Sequence, residues 1–189
     1  EIVPLTEAGV REGNKIFGGA VLRKSDLSTV VAVTNQESVN PLNHGEIATI
    51  NAFYELPLGQ RPPAAETIFV STHEPCPLCL GGLTWGGWDN FFYFFSYEDT
   101  MDAFSIPHDI RLNEEIWRVQ GGEYEHKNRY WCAWHIPELV AGCAPEVRDD
   151  LERVFLTLQR RQFRVDPLHE AMEMNPELAL ERETVEKRV

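Results

Sequence analysis

The feature that most constrains this chain is a pair of short motifs, H-G-E at residues 44–46 and P-C-P-L-C at residues 75–79. The first supplies an imidazole and the second supplies two thiolates. These ligands suit Zn²⁺, and three protein ligands leave the fourth tetrahedral position to water. Any fold of this chain must bring two segments that are distant in sequence together around one metal ion. The predicted ligands are His44, Cys76 and Cys79.

The acidic residue of the first motif, Glu46, has a different predicted role. From its position close after His44, the Glu46 carboxylate can reach the water in the fourth position while His44 holds the metal. The alternative is that Glu46 only orients His44. A single C-x-x-C motif is more often a redox site or half of a structural zinc site, so the prediction depends on both motifs occurring together in this order.

Both motifs are predicted to open helices. Residues 46–53 are compatible with a helix, and Asn43 before them is a favoured N-cap type. Residues 76–85 follow Pro75 and predict a second helix. Ligands at helix N-termini lie at the positive end of the helix dipole, which favours thiolate over thiol. Residues 67–71 (T-I-F-V-S) predict a strand that leads towards the second motif.

The chain resembles the cytidine deaminase-like superfamily, and within it the branch that contains guanine deaminases and tRNA adenosine deaminases. The resemblance covers about residues 5–118. It departs from the pattern of that branch at Gly45, where Ala is usual, and at Gly18, which interrupts the more typical Pro-Phe-Gly-Ala. The residues that carry the resemblance are Phe17-Gly18-Gly19-Ala20-Val21, Asn35, His44-Gly45-Glu46, Glu74-Pro75-Cys76-Pro77-Leu78-Cys79 and Asp102-Ala103.

The resemblance implies an enzyme that holds one Zn²⁺ per chain and deaminates a small nitrogen heterocycle by hydrolysis, releasing ammonia. A guanine-like base is the leading expectation, with another nucleobase or a nucleoside as related substrates. Glu46 would move protons from the water to the ring and to the departing amine. The alternatives are a tRNA adenosine-to-inosine deaminase and a non-catalytic zinc-binding module. A homodimer is also expected, because dimers are common in the resembled branch.

Three residues are candidates for substrate binding. Asn35 matches, by resemblance, the Asn that hydrogen-bonds the base in related deaminases; the alternative is an Asx-turn that opens the following loop. The backbone N–H of Gly45 is, by the same resemblance, placed to meet a substrate carbonyl or ring nitrogen. Asp109 follows Asp102-Ala103 where the guanine deaminase pattern carries an acidic residue. Its alternative is an exposed residue at a helix N-terminus.

The order of the predicted elements is a β-hairpin followed by alternating helices and strands. The hairpin strands are residues 20–23 and 29–34. Residues 90–95 (N-F-F-Y-F-F) lack alternation, which is typical of a strand covered by helices on both faces. Together with residues 67–71 and 130–136, these segments predict the α/β class: a three-layer αβα arrangement with a central mixed five-stranded sheet, the cytidine deaminase-like fold.

The other segments divide into helices and one connector. Residues 56–66 contain three prolines (Pro57, Pro62 and Pro63) and are predicted to be a connector without helix. Further helices are predicted at residues 4–13, 107–119 and 145–164, the last from its helical period of apolar residues. We assign residues 1–164 to one zinc-dependent deaminase domain and residues 165–189 to an acidic, helical C-terminal tail.

Composition limits the partners of the protein. The chain has 189 residues, of which 43% are hydrophobic, and a net charge of −13 from 30 acidic and 17 basic residues. Such a chain repels a phosphate backbone, so no nucleic-acid partner is expected.

Four cysteines predict no disulfide framework and favour a reducing compartment. No apolar run approaches the ~20 residues of a membrane span, so we expect a cytoplasmic protein without a membrane partner.

The charge makes a direct prediction about nucleic acid. Because neutralising phosphates needs Lys and Arg along the path of the strand, the protein should show no detectable binding of tRNA or single-stranded DNA at physiological salt. Fluorescence anisotropy with labelled nucleic acid is the measurement. A micromolar complex whose affinity falls steeply with added salt would contradict it.

Overall fold

The computed structural model describes residues 1–162, so the predicted tail at residues 165–189 lies outside the described residues. The strands are β1 (Gly18–Arg23), β2 (Thr29–Thr34), β3 (Thr67–His73), β4 (Asn90–Phe95) and β5 (Cys132–His135). The α-helices are α1 (Ile2–Arg11), α2 (Gly45–Glu55), α3 (Pro77–Gly86), α4 (Tyr97–Phe104), α5 (His108–Leu112), α6 (Ile136–Val140) and α7 (Pro145–Gln162). Short 3₁₀ turns lie at Ala64–Glu66 and Gln120–Gly122, and one π-helical turn lies at Asn113–Trp117.

The five strands form one mixed sheet in the order β2-β1-β3-β4-β5. β1 is antiparallel to both β2 and β3, whereas β3, β4 and β5 are parallel. One row of side chains crosses the sheet at equivalent register: Val21 pairs with Phe69, Phe69 with Phe91, and Phe91 with Ala133. All four are buried and form the centre of the main core. The predicted mixed five-stranded sheet is therefore confirmed.

Helices cover both faces of this sheet, as two neighbouring glycines of β1 show. A Cβ at Gly18 would lie 2.8 Å from Thr6 of α1, whereas a Cβ at Gly19 would lie 2.8 Å from Thr49 of α2. Since successive residues of a strand point to opposite faces, α1 and α2 lie on opposite sides. The αβα layering follows, and the small residues of β1 let both helices approach closely.

The functional motifs meet at one edge of the sheet. β3 ends at His73, and the next residues lead directly into α3, whose N-cap is Cys76. β1 runs antiparallel and begins at the same edge, where the Gly18 N–H donates to the Thr72 hydroxyl over 3.0 Å. α2 also begins here, with His44 as its N-cap. Both motifs therefore open helices, as the sequence predicts.

Four local expectations need correction. The N-cap of α2 is His44 and not Asn43, because the helix begins at Gly45. The predicted helix at residues 107–119 is interrupted: α5 gives way to the π-helical turn, which ends at Arg118 with a positive φ of 59°. The connector at residues 56–66 contains a single 3₁₀ turn at its end. Finally, α4 was not predicted, although Ser96 and Asp99 form a capping box at its start.

No α-helix within residues 1–162 is long and apolar enough to span a membrane.

Candidate metal and catalytic site

The three predicted metal ligands converge at the starts of α2 and α3. The His44 Nδ1 atom lies 3.4 Å from the Cys76 Sγ atom and 3.7 Å from the Cys79 Sγ atom. The two sulfur atoms are 3.6 Å apart. Within residues 1–162, these three side chains are the group of His, Cys, Asp or Glu residues whose ligand atoms lie close enough to share a metal ion.

This geometry fits Zn²⁺. With Zn–S bonds of about 2.3 Å and Zn–N bonds of about 2.0–2.1 Å, a tetrahedral ion separates its ligand atoms by about 3.5–3.8 Å. The three distances agree with that separation to within about 0.2 Å. His44, Cys76 and Cys79 would hold the metal on three sides and leave the fourth side open to the sheet edge.

In the absence of metal, the imidazole of His44 and the thiol of Cys79 are held in their protonated forms. The hydrogen bond between the two thiols, together with the His44 imidazole and against the effect of burial, lowers the pKa of Cys76 to about 4. Burial alone would lower the pKa of His44, but contact with Cys76 raises it to about 9. The same thiol–thiol bond, followed by burial, raises the pKa of Cys79. Zinc requires two thiolates and a neutral imidazole, so its binding releases protons.

The Glu46 carboxylate lies beside this ligand set and is itself buried. Its Oε1 atom accepts a hydrogen bond of 2.7 Å from the Ser71 hydroxyl at the end of β3. Its Oε2 atom lies 3.3 Å from the Cys79 Sγ atom. Burial, followed by the negative charge of Cys76, raises the pKa of Glu46, and the Ser71 hydrogen bond opposes the shift. One carboxylate oxygen is thus held by the sheet while the other faces the metal position.

Asn35 is fully buried at the end of β2, and its side chain has one free donor. The Oδ1 atom accepts a hydrogen bond of 3.0 Å from the Glu37 N–H, which is the Asx-turn that sequence alone leaves open. The Nδ2 atom is buried and has no hydrogen-bond partner. A buried donor without a partner is costly, so the turn and a ligand contact are compatible: the turn fixes the amide and leaves Nδ2 for a ligand.

Gly45 is required by a close approach of backbones. A Cβ at this position would lie 2.6 Å from Gly18 N and 2.8 Å from Phe17 C, and neither backbone atom can move aside easily. The two departures from the usual pattern, Gly18 and Gly45, are therefore in direct contact. The absent Cβ of Gly45 lets the start of α2 lie against the start of β1, whereas the absent Cβ of Gly18 lets α1 approach the other face of the sheet.

Asp109 lies in the first turn of α5 and is brought near the metal site. Burial, followed by the charges of Cys76 and Glu46, raises the pKa of Asp109 to about 7. The Asp109 carbonyl oxygen accepts a hydrogen bond of 2.9 Å from the Asn113 side chain in the following π-helical turn. The structure thus disfavours the alternative of an exposed helix-terminal residue, because the charges of the site act on this carboxyl.

Sequence reasoning missed the residues that support the site from outside. Glu74 is buried, its Oε2 atom accepts a hydrogen bond of 2.9 Å from the Tyr97 N–H, and its Oε1 atom lies 3.1 Å from His126 Nε2. The Tyr97 hydroxyl donates to the Pro75 carbonyl over 2.7 Å. These bonds tie the loop before Cys76 to the start of α4. The capping-box pattern at Ser96 is the one sequence signal that would have placed Tyr97.

His73 is a structural residue, as its neighbours show. Its ring is buried among Phe17, Phe95 and Phe104, with ring centroids 4.4–5.1 Å away. This burial lowers the pKa of His73 to about 3, so the ring stays neutral. Although it lies close to Cys76 in sequence, it is not one of the three grouped metal-ligand side chains.

No protein-family model and no curated protein sequence matches this chain. A guanine deaminase from Nitrosomonas europaea superposes with a TM-score of 0.53 at 15% identity, over 85% of this chain and 80% of its own. A guanine deaminase from Bacillus subtilis gives 0.50 at 20% identity, over 80% and 87% respectively. A structure solved with 2,6-diaminopurine gives 0.55 at 15% identity, over 88% and 80%.

At these identities the likeness is one of fold. The mixed five-stranded sheet flanked by helices is a fold that the chain shares with the solved guanine deaminases. The predicted cytidine deaminase-like fold is therefore confirmed.

The contact at Gly45 predicts that alanine will not be tolerated there. Gly45→Ala places a methyl group against the Gly18 backbone and should destabilise the protein by about 1–3 kcal/mol, as over-packing does. It should also weaken zinc binding, because His44 is the adjacent residue. Thermal unfolding and zinc titration measure the two effects.

Gly81→Ala is the matched control for this variant. A Cβ at Gly81, inside α3, meets nothing within 4 Å, so this change should stabilise the helix by up to about 1 kcal/mol. Equal stability of the two alanine variants would contradict the proposed crossing of α2 and β1.

The raised pKa of Asp109 predicts a pH-dependent stability difference. Between about pH 4 and pH 7 the unfolded chain loses this proton while the folded protein keeps it, so wild-type stability falls as pH rises through that window. Asp109→Asn removes the effect and should gain relative stability with rising pH, by at most about 1.4 kcal/mol per pH unit. Urea unfolding at several pH values measures it.

Asp102→Asn, at an exposed position of α4, is the matched control for the Asp109 experiment. An Asp109→Asn stability difference that stays constant from pH 4 to pH 8 would show that the carboxyl is solvated and ionised in the folded protein, against the structure.

Proposed function

We propose that this protein is a zinc-dependent hydrolase that deaminates a free purine-like base, with guanine as the leading substrate. The single observation that carries the proposal is the buried Glu46 carboxylate, held by Ser71 beside three ligand atoms with zinc spacing. A closed structural site would present a fourth protein ligand instead. The solved guanine deaminases with the same fold support the choice of substrate class.

The chemistry requires a nucleophile and a proton carrier. Zn²⁺, when bound, supplies the first by lowering the pKa of a coordinated water from 15.7 to about 7. Glu46 supplies the second: its Oε2 oxygen faces the metal position and accepts the water proton. The same carboxyl then donates to the ring nitrogen and, later, to the departing amine. Its raised pKa suits this exchange, because a carboxyl poised nearer neutrality gives back a proton more readily.

Burial of this carboxylate is also evidence against a purely structural role. An ionised carboxylate loses water at considerable cost unless partners compensate. The Ser71 hydroxyl satisfies one oxygen, and the metal site lies next to the other. A non-catalytic zinc module has no need of an acid held in this position.

The proposed substrate contacts are polar and complementary to a purine. The Asn35 Nδ2 atom offers a buried donor without a protein partner, suited to a carbonyl oxygen or a ring nitrogen. The Gly45 N–H lies in the first turn of α2 and is proposed as a second donor, because the first N–H groups of a helix have no partner within it. Asp109, which is half-buried, is proposed as an acceptor for a ring N–H or an exocyclic amine, and the influence of the Cys76 and Glu46 charges on its pKa supports this role. Guanine carries donors and acceptors on opposite edges that can use both kinds of group.

The Glu46→Gln variant separates an enzyme from a zinc-binding module. It keeps the size of the side chain and removes the proton-accepting charge, so zinc content should be unchanged. Turnover should fall by at least the ~10²–10⁴-fold that a general acid–base group contributes. Ammonia release and zinc content are measured side by side.

Glu55→Gln, the same substitution at an exposed position of the same helix, is the control and should retain both properties. Loss of zinc from Glu46→Gln would make Glu46 a ligand or its support, and unchanged turnover would assign the protons to another residue. The substrate itself is identified by an ammonia-release screen over purines, pyrimidines, their nucleosides, pterins and triazines.

A further inference from the structure

The carboxylate of Glu37 lies against the ring of the proposed metal ligand His44, on the side away from the two thiols. The Glu37 Oε1 atom is 3.2 Å from His44 Nε2, and the Glu37 Oε2 atom is 3.1 Å from Lys15 Nζ. Only 16% of the Glu37 side chain is exposed. The imidazole therefore has the two thiols at Nδ1 and a carboxylate at Nε2.

The backbone around Glu37 is held by three hydrogen bonds, one from each of the N–H groups of residues 36, 37 and 38. Its own N–H donates to Asn35 Oδ1 over 3.0 Å. The Gln36 N–H donates to the Asn43 carbonyl over 2.9 Å, which closes the loop directly before His44. The Ser38 N–H donates to the side chain of the buried Asn14 over 3.1 Å. A loop held in this way presents Glu37 in a fixed position and not as a free surface charge.

We propose that Glu37 is the positioning residue for the zinc ligand His44 and that Lys15 holds Glu37 in place. A neutral imidazole that binds a metal through Nδ1 carries its proton on Nε2, and a carboxylate at Nε2 selects that tautomer. It also fixes the ring orientation and strengthens the ring as a ligand. The inference rests on the metal site of the proposed function, which it deepens.

The arrangement also links the metal ligand to the proposed substrate contact. The Glu37 N–H donates a hydrogen bond to Asn35 Oδ1, and the Glu37 carboxylate contacts the His44 ring. The same short loop therefore fixes the orientation of the Asn35 amide, including its Nδ2 atom, and of the His44 imidazole. Lys15 supports this from the segment between α1 and β1. The Lys15–Glu37 pair is itself largely buried, with 22% and 16% of the two side chains exposed, so zinc affinity and the stability of the metal-free protein have to be measured separately.

The test measures zinc affinity by chelator competition in the full chain. Glu37→Ala should weaken zinc binding about 10–100-fold, the usual effect of losing such a partner. Glu37→Gln keeps a carbonyl acceptor and should lose less. Glu7→Gln, which removes the carboxylate of an exposed pair with Arg11, is the control and should match wild type.

A second measurement reports on the mechanism and not only on affinity. In the ¹⁵N spectrum of the zinc-loaded wild type, the His44 ring should show a protonated Nε2 whose proton exchanges slowly with water. In Glu37→Ala that proton should exchange faster with water. A merely structural role would lower stability and leave this signal unchanged.

The outcomes separate the two proposals. Cys76→Ala should lose stoichiometric zinc, and if it keeps a full equivalent the metal site itself is wrong. If wild type binds zinc at His44, Cys76 and Cys79 but both Glu37 variants bind it as tightly as Glu7→Gln, the positioning role of Glu37 is overturned and the metal site stands.

Discussion

The structure depends on the convergence of two helix starts. His44 caps α2 and Cys76 caps α3, and their ligand atoms approach to 3.4 Å. This requires the two helices to pack side by side on one face of the sheet. Gly82 of α3 permits the approach, because a Cβ there would lie 3.0 Å from Ile47 and 3.1 Å from Ile50. Helix dipoles then add a positive potential where the thiolates gather.

The candidate site contains buried polar side chains, and the hydrogen bonds that hold two of its carboxylates, Glu46 and Glu74, come from a hydroxyl and a backbone N–H. Ser71 binds one oxygen of Glu46, and the Tyr97 N–H binds one oxygen of Glu74. Because unpaired buried polar groups are costly, each contact restricts a side chain to one arrangement. The Nδ2 atom of Asn35 has no such partner, and an unsatisfied donor at a site is the kind of local cost that ligand binding removes.

Gly18 and Gly45, the two departures from the usual sequence pattern, lie in contact in the fold. A Cβ at Gly45 would meet the Gly18 backbone, whereas a Cβ at Gly18 would point the other way, towards Thr6 and Ile2 of α1. As single residues in a sequence, they look like two unrelated deviations. In the fold they are one contact, which lets the start of β1 reach Thr72 and the start of α2 reach the metal.

Local patterns predicted most of the elements, because strands and helices are encoded at short range. The aromatic run of β4 and the hairpin strand β2 have the predicted bounds. The failures lie where local signals are weak or conflict. The helix at residues 107–119 breaks into α5 and a π-helical turn, and α4 depends on a cap that is easily overlooked. A periodic pattern does not reveal where a helix bends to bring Asp109 towards buried charges.

By itself, the sequence predicted the ligand set and its chemistry, since an imidazole, two thiolates and a carboxylate at this spacing have few other uses together. Only the tertiary structure decided which groups surround them. The contact of Glu37 with His44, the hold of Ser71 on Glu46 and the closeness of Gly18 to Gly45 join segments from different elements. Such contacts depend on the register of strands and the packing of helices, which no short motif records. The motifs therefore predict the reaction, and the packing sets the geometry in which it can occur.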